Sequence, residues 1–297
     1  HCLRLIAACL ESGLWQEVQV LVYLIWEYFD CHGWWTEQLA ILEMSLAAAH
    51  KTGDRKGEAW CLNCMGYTCW RNGDFDQPLI WYKQCLSIWR ELGDLAEEGI
   101  TLVNMANIYQ EQGRYKQALE LYEQDLNIKR EFVDRAGEGI TMNNIATIYH
   151  KQGDYARALT YYEQSICIQK EADDKRGASV TLHNISEIYH DQKKLNMALK
   201  YQKDALALSQ EVGDRAREAV AFWKIGFFYT EQGNLAKTEE YVTQAVQVAE
   251  LIDHPLVEKW RGELAWVRAK RQDARPSSRC KGMSAFLDWL RGKWRGA

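Results

Sequence analysis

The sequence has few residues that interrupt helices and no pattern typical of strands or membrane spans. Only three prolines occur in 297 residues, Pro78, Pro255 and Pro276, and proline is the residue least compatible with a helix interior. No segment alternates apolar and polar residues as a half-buried strand does. The most apolar run, residues 18–29, contains two polar residues and is much shorter than the roughly 20 residues of a spanning helix. We therefore expect an all-α protein without a transmembrane helix or a signal peptide.

Sequence signatures of catalysis are also missing. The chain contains no GxxxxGK[ST] phosphate loop, no GxSxG, no HExxH and no glycine-rich dinucleotide turn. One CxxC pair, Cys61 and Cys64, permits a metal or redox site. No second pair follows at zinc-site spacing, which favours buried free thiols instead. The sequence therefore predicts a protein that is not an enzyme and holds no cofactor and no metal.

Basic residues are scarce over most of the chain. Residues 1–257 carry 25 Lys and Arg against 37 Asp and Glu, whereas residues 258–297 carry 11 against 4. Phosphate binding needs clustered Lys and Arg, so we expect no nucleic acid along the acidic part. The nine cysteines, an odd number without a disulfide framework, favour reduced thiols and a cytoplasmic location.

What the chain does contain is a repeat of forty residues. Rows starting at residues 17, 57, 97, 137, 177 and 217 align without a gap. One column of these rows reads Gly33, Gly73, Gly113, Gly153, Lys193 and Gly233, and a second break follows twenty residues later at Gly53-Asp54, Gly93-Asp94, Val133-Asp134, Asp173-Asp174 and Gly213-Asp214. Glycine at these places can adopt the left-handed conformation that ends a helix. Each row thus predicts two helices, A and then B.

The apolar residues of both helices recur at helical spacing. In helix A, Leu102, Met105, Ala106 and Tyr109 follow the i, i+3, i+4, i+7 pattern of one buried stripe. Helix B carries an apolar stripe of its own, which includes Ala118 and Tyr122 in the row that starts at residue 97. Two such helices cannot bury both apolar faces alone, so consecutive rows must stack.

These columns resemble the tetratricopeptide repeat (TPR) in its forty-residue form. The small residues Ala106 and Ala146 and the matching Tyr and Ala columns carry the resemblance, which is strong over residues 57–256 and looser over 17–56. The family implies an α-solenoid, a right-handed superhelix of stacked helix-turn-helix repeats. Lys193, Pro78, Asp125 and Ser165 depart from the family pattern. The forty-residue form is similar to that of kinesin light chains and of the sensor arms of bacterial STAND/NB-ARC-type signalling ATPases.

The resemblance places a binding groove on one face of the A helices. The columns that start at Trp60, Cys64, Tyr67 and Arg71 oppose the buried stripe. In the family, asparagines on this face bind the main chain of a peptide, and an amide offers both a donor and an acceptor. The alternative is that these side chains brace neighbouring repeats, and that the tryptophans pack internally. The predicted partner-binding residues are Asn104, Asn107, Asn143, Asn144, Asn184, His150, His183, Glu187, His190, Lys151, Trp70 and Trp223.

Two histidines of this face permit one further interpretation. His150 and His190 occupy the same column one repeat apart, with Glu187 one turn before His190, so a metal ion could bridge them. No second carboxylate is available, because residue 147 is threonine. Solvated groove histidines are the favoured interpretation.

The repeat also divides the chain. Residues 1–16 read as the end of a preceding helix, 17–256 as six repeats (17–56, 57–96, 97–136, 137–176, 177–216 and 217–256), 257–274 as a capping helix, and 275–297 as a linker and a basic amphipathic tail. The opening at His1 suggests a fragment. For the tail, residues 284–297, we leave open a docking helix, a membrane-surface helix and a helix folded onto the array.

The sequence as a whole predicts an interaction scaffold that binds a partner peptide or protein segment in the groove. The alternative is the ligand-sensing arm of a larger STAND-type ATPase. Neither the partner nor the oligomeric state follows from the sequence.

Overall fold

The computed structural model describes residues 2–74 and 77–273, and nearly all of them lie in helices. The helices of the described residues are α1 (Cys2–Glu11), α2 (Trp15–His32), α3 (Trp35–Thr52), α4 (Arg55–Arg71), α5 (Gln77–Leu92), α6 (Leu95–Glu111), α7 (Tyr115–Glu131), α8 (Arg135–Lys151), α9 (Tyr155–Glu171), α10 (Lys175–Asp191), α11 (Leu195–Glu211), α12 (Arg215–Glu231), α13 (Leu235–Leu251) and α14 (Val257–Asp273). The predicted all-α architecture of paired helices is confirmed. The A helices are α2, α4, α6, α8, α10 and α12, and each is followed by its helix B.

The turns form as the glycine and aspartate columns predict. Asp54, Asp174 and Asp214 each cap the following helix by accepting a hydrogen bond from the backbone N–H three residues on, which satisfies a donor that the helix leaves unpaired. The next residue in two of these turns pairs with a glutamate in the first turn of the helix: Arg55 with Glu58 and Arg215 with Glu218. The recurring Gly-Asp-Arg segments are therefore architectural.

Four turn residues other than glycine adopt a positive φ. They are Val133 (57°), Asp173 (53°), Lys193 (62°) and Asp253 (49°), and each occupies a column that holds glycine in other rows. The departure at Lys193 leaves the turn unchanged, because the chain adopts the left-handed conformation there without glycine. An L-residue in that conformation costs roughly 1–2 kcal/mol.

The described residues form two compact units, which lie within residues 1–148 and 149–297. Within each unit consecutive helices pack against each other, and the small column brings helix B close to helix A. Ala106 and Ala146 are fully buried. A Cβ on Gly66 would come within 2.8 Å of the Tyr82 ring, and one on Gly226 within 2.7 Å of the Val242 side chain. These positions need small residues because packed interiors leave no room for extra atoms.

Two departures from the family pattern are explained by pairing across the stacking interface. Asp125 is fully buried, and its Oδ2 accepts a 2.5 Å hydrogen bond from the Thr141 hydroxyl. Ser165 lies 3.4 Å from the Thr181 hydroxyl in the second unit. Each pair joins a helix B to the next helix A at a spacing of sixteen residues. Burial of a polar group is tolerated when a hydrogen bond satisfies it.

The last described helix follows the repeat register. Val257 lies forty residues after position 217, where the sixth row of the repeat starts, and α14 packs on α13 with Trp260 fully buried. The tail predicted at 275–297 lies outside the described residues, as do His1 and residue 274 at the ends of their predicted segments. In the part of the chain that is described, no helix is long and apolar enough to cross a membrane.

Candidate functional site

We use the name A-face for the surface formed by the columns that start at Trp60, Asn63, Cys64, Tyr67, Trp70 and Arg71 and recur every forty residues. It contains all the predicted partner-binding residues. Most of these side chains are half-buried. The part in residues 1–148 and the part in residues 149–297 are described separately.

The asparagines of the first unit brace the structure as well as face its surface. Asn104 Nδ2 donates a 3.1 Å hydrogen bond to Asn63 Oδ1 of the preceding A helix. Asn107 Oδ1 accepts a 2.5 Å bond from the hydroxyl of Tyr122, a fully buried residue of its own helix B. Each amide still has further donor and acceptor capacity. The bracing alternative therefore holds for Asn104 and Asn107, and it leaves room for a partner contact.

The other two asparagines of this unit that were predicted to bind a partner, Asn143 and Asn144, lie half-buried on α8. The Thr147 hydroxyl donates to the Asn143 carbonyl oxygen at 2.9 Å, which is a local contact within the helix. Asn184 occupies the equivalent column in the second unit and is also half-buried. Whether these amides contact a partner stays a prediction.

A ladder of contacts between neighbouring A helices runs along the A-face. In the first unit Trp70 Nε1 donates to Glu111 Oε2 at 2.7 Å, and Arg71 Nε lies 4.0 Å from Asp30 Oδ1. In the second unit His150 Nε2 lies 2.8 Å from Asp191 Oδ2, and His190 Nε2 lies 2.7 Å from Glu231 Oε2. Each pair is separated by 41 residues in the chain.

The ladder was not recognised in the sequence, although its signal is present there. Each of four residues in the ladder has a residue of complementary chemistry 41 positions later in the chain. The pairs are Asp30 with Arg71, Trp70 with Glu111, His150 with Asp191, and His190 with Glu231. This gives Trp70, His150 and His190 carboxylate partners within the protein. Lys151 lies exposed at the end of α8.

Aromatic and aliphatic side chains give the first unit an apolar A-face. Tyr23, Trp60, Trp26 and Tyr67 form a chain of ring contacts with centroids 5.4 to 6.4 Å apart, which Trp70 extends at 5.8 Å. The column of Trp60 also contains three exposed aliphatic residues that sequence reasoning missed: Val20 (58%), Ile100 (45%) and Ile140 (50%). Exposed apolar residues that recur in register mark a contact surface more strongly than isolated ones do.

Trp223 lies in an A-face column but is buried. Its side chain is 4% exposed, it stacks on Trp260 with ring centroids 6.0 Å apart, and its Nε1 donates to Glu263 Oε2 at 2.5 Å. The partner-binding role predicted for Trp223 is therefore wrong, and the packing alternative is right, because a side chain buried to this extent offers a partner almost no area.

The second unit has a more polar A-face. Lys224 Nζ lies 2.9 Å from Glu187 Oε2, so this predicted contact residue is already paired. His183 Nδ1 lies 3.0 Å from Gln202 Oε1. Burial lowers the pKa of His183, and the charges of Lys224 and Arg217 act in the same direction against that of Glu187. His183 lines a cavity of about 430 Å³ between α10, α11 and α12.

The first unit has a cavity in the equivalent place. Its volume is about 420 Å³, and α2, α3, α4 and α5 contribute to its walls. Tyr23 takes the column of His183 there, and Gly57 takes that of Arg217. Tyr23 and the neighbouring Leu24 are 65% and 69% exposed. This cavity is apolar where its counterpart is polar.

The cysteine and histidine alternatives can be compared with the geometry. Cys61 and Cys64 are buried, and burial raises the pKa of Cys61 to about 11, which keeps it a thiol at neutral pH. Among the described residues no group of three or more His, Cys, Asp or Glu side chains is arranged to hold a metal ion. His150 and His190 each face a carboxylate of the next helix.

The comparison with protein families identifies the same repeat. A family model described as tetratricopeptide repeat matches residues 57–131, 97–171 and 137–211, which together span more than half of the chain. A search of curated proteins found no match.

Among solved structures, BtubC (BKLC) from P. vanneervenii is 21% identical with a TM-score of 0.63, over 74% of this chain and 92% of that one. A signal transduction ATPase with numerous domains and a tetratricopeptide repeat sensor, from Pyrococcus horikoshii, is 16% identical with a TM-score of 0.64, over 91% and 46%. A Rap protein complexed with competence and sporulation factor is 13% identical with a TM-score of 0.60, over 87% and 77%. At these identities the likeness shows a common fold.

Proposed function

The chain belongs to the tetratricopeptide repeat family, and we propose that it is an interaction scaffold that binds a segment of a partner protein or a peptide on its A-face. The observation that carries the proposal is the first unit's combination of an exposed aliphatic column, Val20, Ile100 and Ile140, with half-buried amides beside it. Apolar side chains supply affinity by losing water on contact. Amides fix the direction and register of an extended main chain.

The solved structures support the same class of function. The Rap protein is complexed with competence and sporulation factor, and the family fold provides surfaces without catalytic groups of its own. Function is decided by side chains at the site, so the partner of this chain follows from its own A-face and not from the fold.

The test is to place charges on the aliphatic column. The chain, immobilised, is used to isolate a partner, and the affinity of the identified segment is then measured by calorimetry. Ile100→Glu with Ile140→Glu is expected to weaken binding by a factor of ten or more, because each carboxylate must lose water against an apolar partner. Both side chains are about half exposed, so the thermal stability should change little.

The matched control is Phe132→Glu, which charges an apolar side chain of similar exposure, 57%, in the turn after α7 and away from the A-face. It is expected to bind as the parent chain does. Equal affinity of the parent and the Ile100/Ile140 variant would refute the proposed surface. The triple variant Asn104→Ala, Asn144→Ala and Asn184→Ala tests the amides and is expected to weaken binding in the same calorimetric measurement.

One observation favours a second function, the sensor arm of a larger signalling ATPase. The chain aligns over 91% of its length with 46% of a STAND protein that carries a tetratricopeptide repeat sensor. The nucleotide sequence upstream of the codon for His1 tests this. An in-frame phosphate loop would support the sensor arm, and a start codon without one would refute it.

A further inference from the structure

The cavity of the second unit combines apolar walls with a polar rim. Val180 of α10 and Val220 and Ala221 of α12 form its aliphatic sides. Ser179 and Ser209 lie deeper, and both hydroxyls contact the Ala205 carbonyl oxygen at 3.0 Å. Its volume of about 430 Å³ lies in the range of sites that take a small ligand or a side chain.

The rim of the cavity carries one arginine and one aspartate, Arg217 and Asp214, and a second arginine, Arg176, lies next to the aspartate. Arg217 lines the cavity, and its Nη1 lies 2.6 Å from Asp214 Oδ2. Arg176 Nε approaches the same oxygen to 3.6 Å, while Asp214 Oδ1 accepts the backbone N–H of Arg217 at 3.1 Å. Two guanidinium groups therefore share one carboxylate. Arg217 has five N–H donors, so one contact with Asp214 leaves donors for a second acceptor.

A half-buried histidine, His183, adds a neutral polar group. Gln202 Oε1 can only accept, so the 3.0 Å contact requires the proton on His183 Nδ1. The His183 ring is half-buried, and desolvation lowers its pKa, which keeps it uncharged at neutral pH. His183 therefore adds no second positive charge. The lining also includes His254, and Arg217 is its one guanidinium.

We infer that this cavity takes an acidic side chain, glutamate or aspartate, of the segment bound on the A-face, with the carboxylate on Arg217 and the aliphatic stem between Val180 and Val220. The inference rests on the proposed function and names the chemistry of one contact in it. A carboxylate on a guanidinium forms a charge-assisted hydrogen bond, the stronger kind in proteins. The stem of glutamate buries two methylene groups against the valines.

The equivalent cavity of the first unit shows which residues decide this preference. It has nearly the same volume, but glycine, Gly57, stands in the column of Arg217 and Tyr23 in that of His183. Its rim carries an ammonium group, Lys56, which lies 3.2 Å from Asp94 Oδ2, and no guanidinium. The two clefts therefore differ in the cation that they present, a lysine in the first and Arg217 in the second.

The experiment uses four blocked tripeptides, acetyl-Ala-X-Ala-amide with X as Glu, Gln, Leu or Lys, added to the full chain labelled with ¹³C-histidine. The imidazole signal of His183, assigned by its loss in His183→Asn, reports binding in the cavity. The Glu peptide is expected to shift this signal in a saturable way and to bind about tenfold more tightly than the Gln peptide. Arg217→Ala should remove that advantage.

The matched control is Arg215→Ala, two residues earlier on α12, where the guanidinium pairs with Glu218 at 2.7 Å and does not line the cavity. This variant should keep the preference for Glu. If the Leu peptide bound as tightly as the Glu peptide or more tightly, the cavity would be an apolar pocket, and if the Lys peptide bound more tightly, it would be a cation site. If no peptide shifted the His183 signal, the cavity would bind none of these side chains. Each of these results would overturn the inference. Because the readout lies in the second unit, it is independent of the Ile100/Ile140 test of the proposed function.

Discussion

Replacement of Val133 by glycine is expected to stabilise the protein. Val133 ends α7 with φ at 57°, a conformation that costs an L-residue roughly 1–2 kcal/mol and is least favourable for a β-branched one. The side chain is 73% exposed, so its removal loses little packing. The turn's backbone bonds, Val133 N–H to the Arg130 carbonyl and Asp134 N–H to that of Lys129, do not depend on it.

The gain is reduced by the greater freedom of glycine in the unfolded chain, about 0.5–1 kcal/mol. The expected net change in the free energy of unfolding is therefore about 0.5–1 kcal/mol, which corresponds to a Tm increase of roughly 1–4 °C for a protein of this size. Calorimetry and urea unfolding would both measure it. The midpoint should move while the denaturant slope stays constant.

The reverse substitution is the matched control. Gly93 occupies the same column one repeat earlier with φ at 69°, and a Cβ there would meet no atom within 4 Å. Gly93→Val is thus expected to destabilise by the same net amount, about 0.5–1 kcal/mol, because the cost of the left-handed conformation is partly offset by the lost freedom of glycine in the unfolded chain. If Val133→Gly lowered the Tm, or Gly93→Val left it unchanged, the argument from the left-handed turn would be refuted.

Three further predictions concern the core. Burial raises the pKa of Asp125, although the Thr141 hydrogen bond and Lys129 act against it, so the contribution of Asp125 to stability is present at acid pH and is lost as the pH rises through the raised pKa. Asp125→Ser, which copies Ser165, should therefore become more stable relative to the parent as the pH rises from 4 to 8. Urea unfolding measures this difference, and a difference that stays constant with pH would contradict the argument. Gly262→Ala on α14 should stabilise the protein by about 0.5–1 kcal/mol, because a Cβ there meets nothing within 4 Å. Gly66→Ala should destabilise it, because its Cβ would meet the Tyr82 ring at 2.8 Å. Equal Tm values for the two variants would refute the packing argument. Iodoacetamide should modify Cys31 and Cys167, which are exposed, long before Cys61 and Cys85, whose pKa burial raises to about 11; peptide mass mapping that found early labelling of Cys61 would show that the core opens.

The architecture was predictable because it depends on local rules that repeat. An apolar stripe of helical period, a glycine or its substitute in the turn and an aspartate that caps the next helix each act within a few residues of the chain. Six copies of one pattern also make the signal much stronger than a single pair of helices would. The departure at Lys193 changed nothing, since the neighbouring helices hold the turn in the left-handed conformation.

Burial and pairing of the surface residues were not predictable in the same way. The A-face column that holds Asn63, His183 and Trp223 points in one direction in every repeat, but Trp223 is covered by α14, whose Trp260 and Glu263 contact it. A column identifies the face of a helix and does not tell what packs upon it.

The sequence by itself determined the all-helical fold, the two helices of each row and the face of the A helices on which the candidate residues lie, because period and turn chemistry are local properties. Only the tertiary structure decided that Trp70, His150 and His190 have carboxylate partners on the next A helix, and that equivalent clefts differ in chemistry. Those features join residues far apart in the chain. Their distances depend on how one repeat packs on the next, which no single row of the sequence contains.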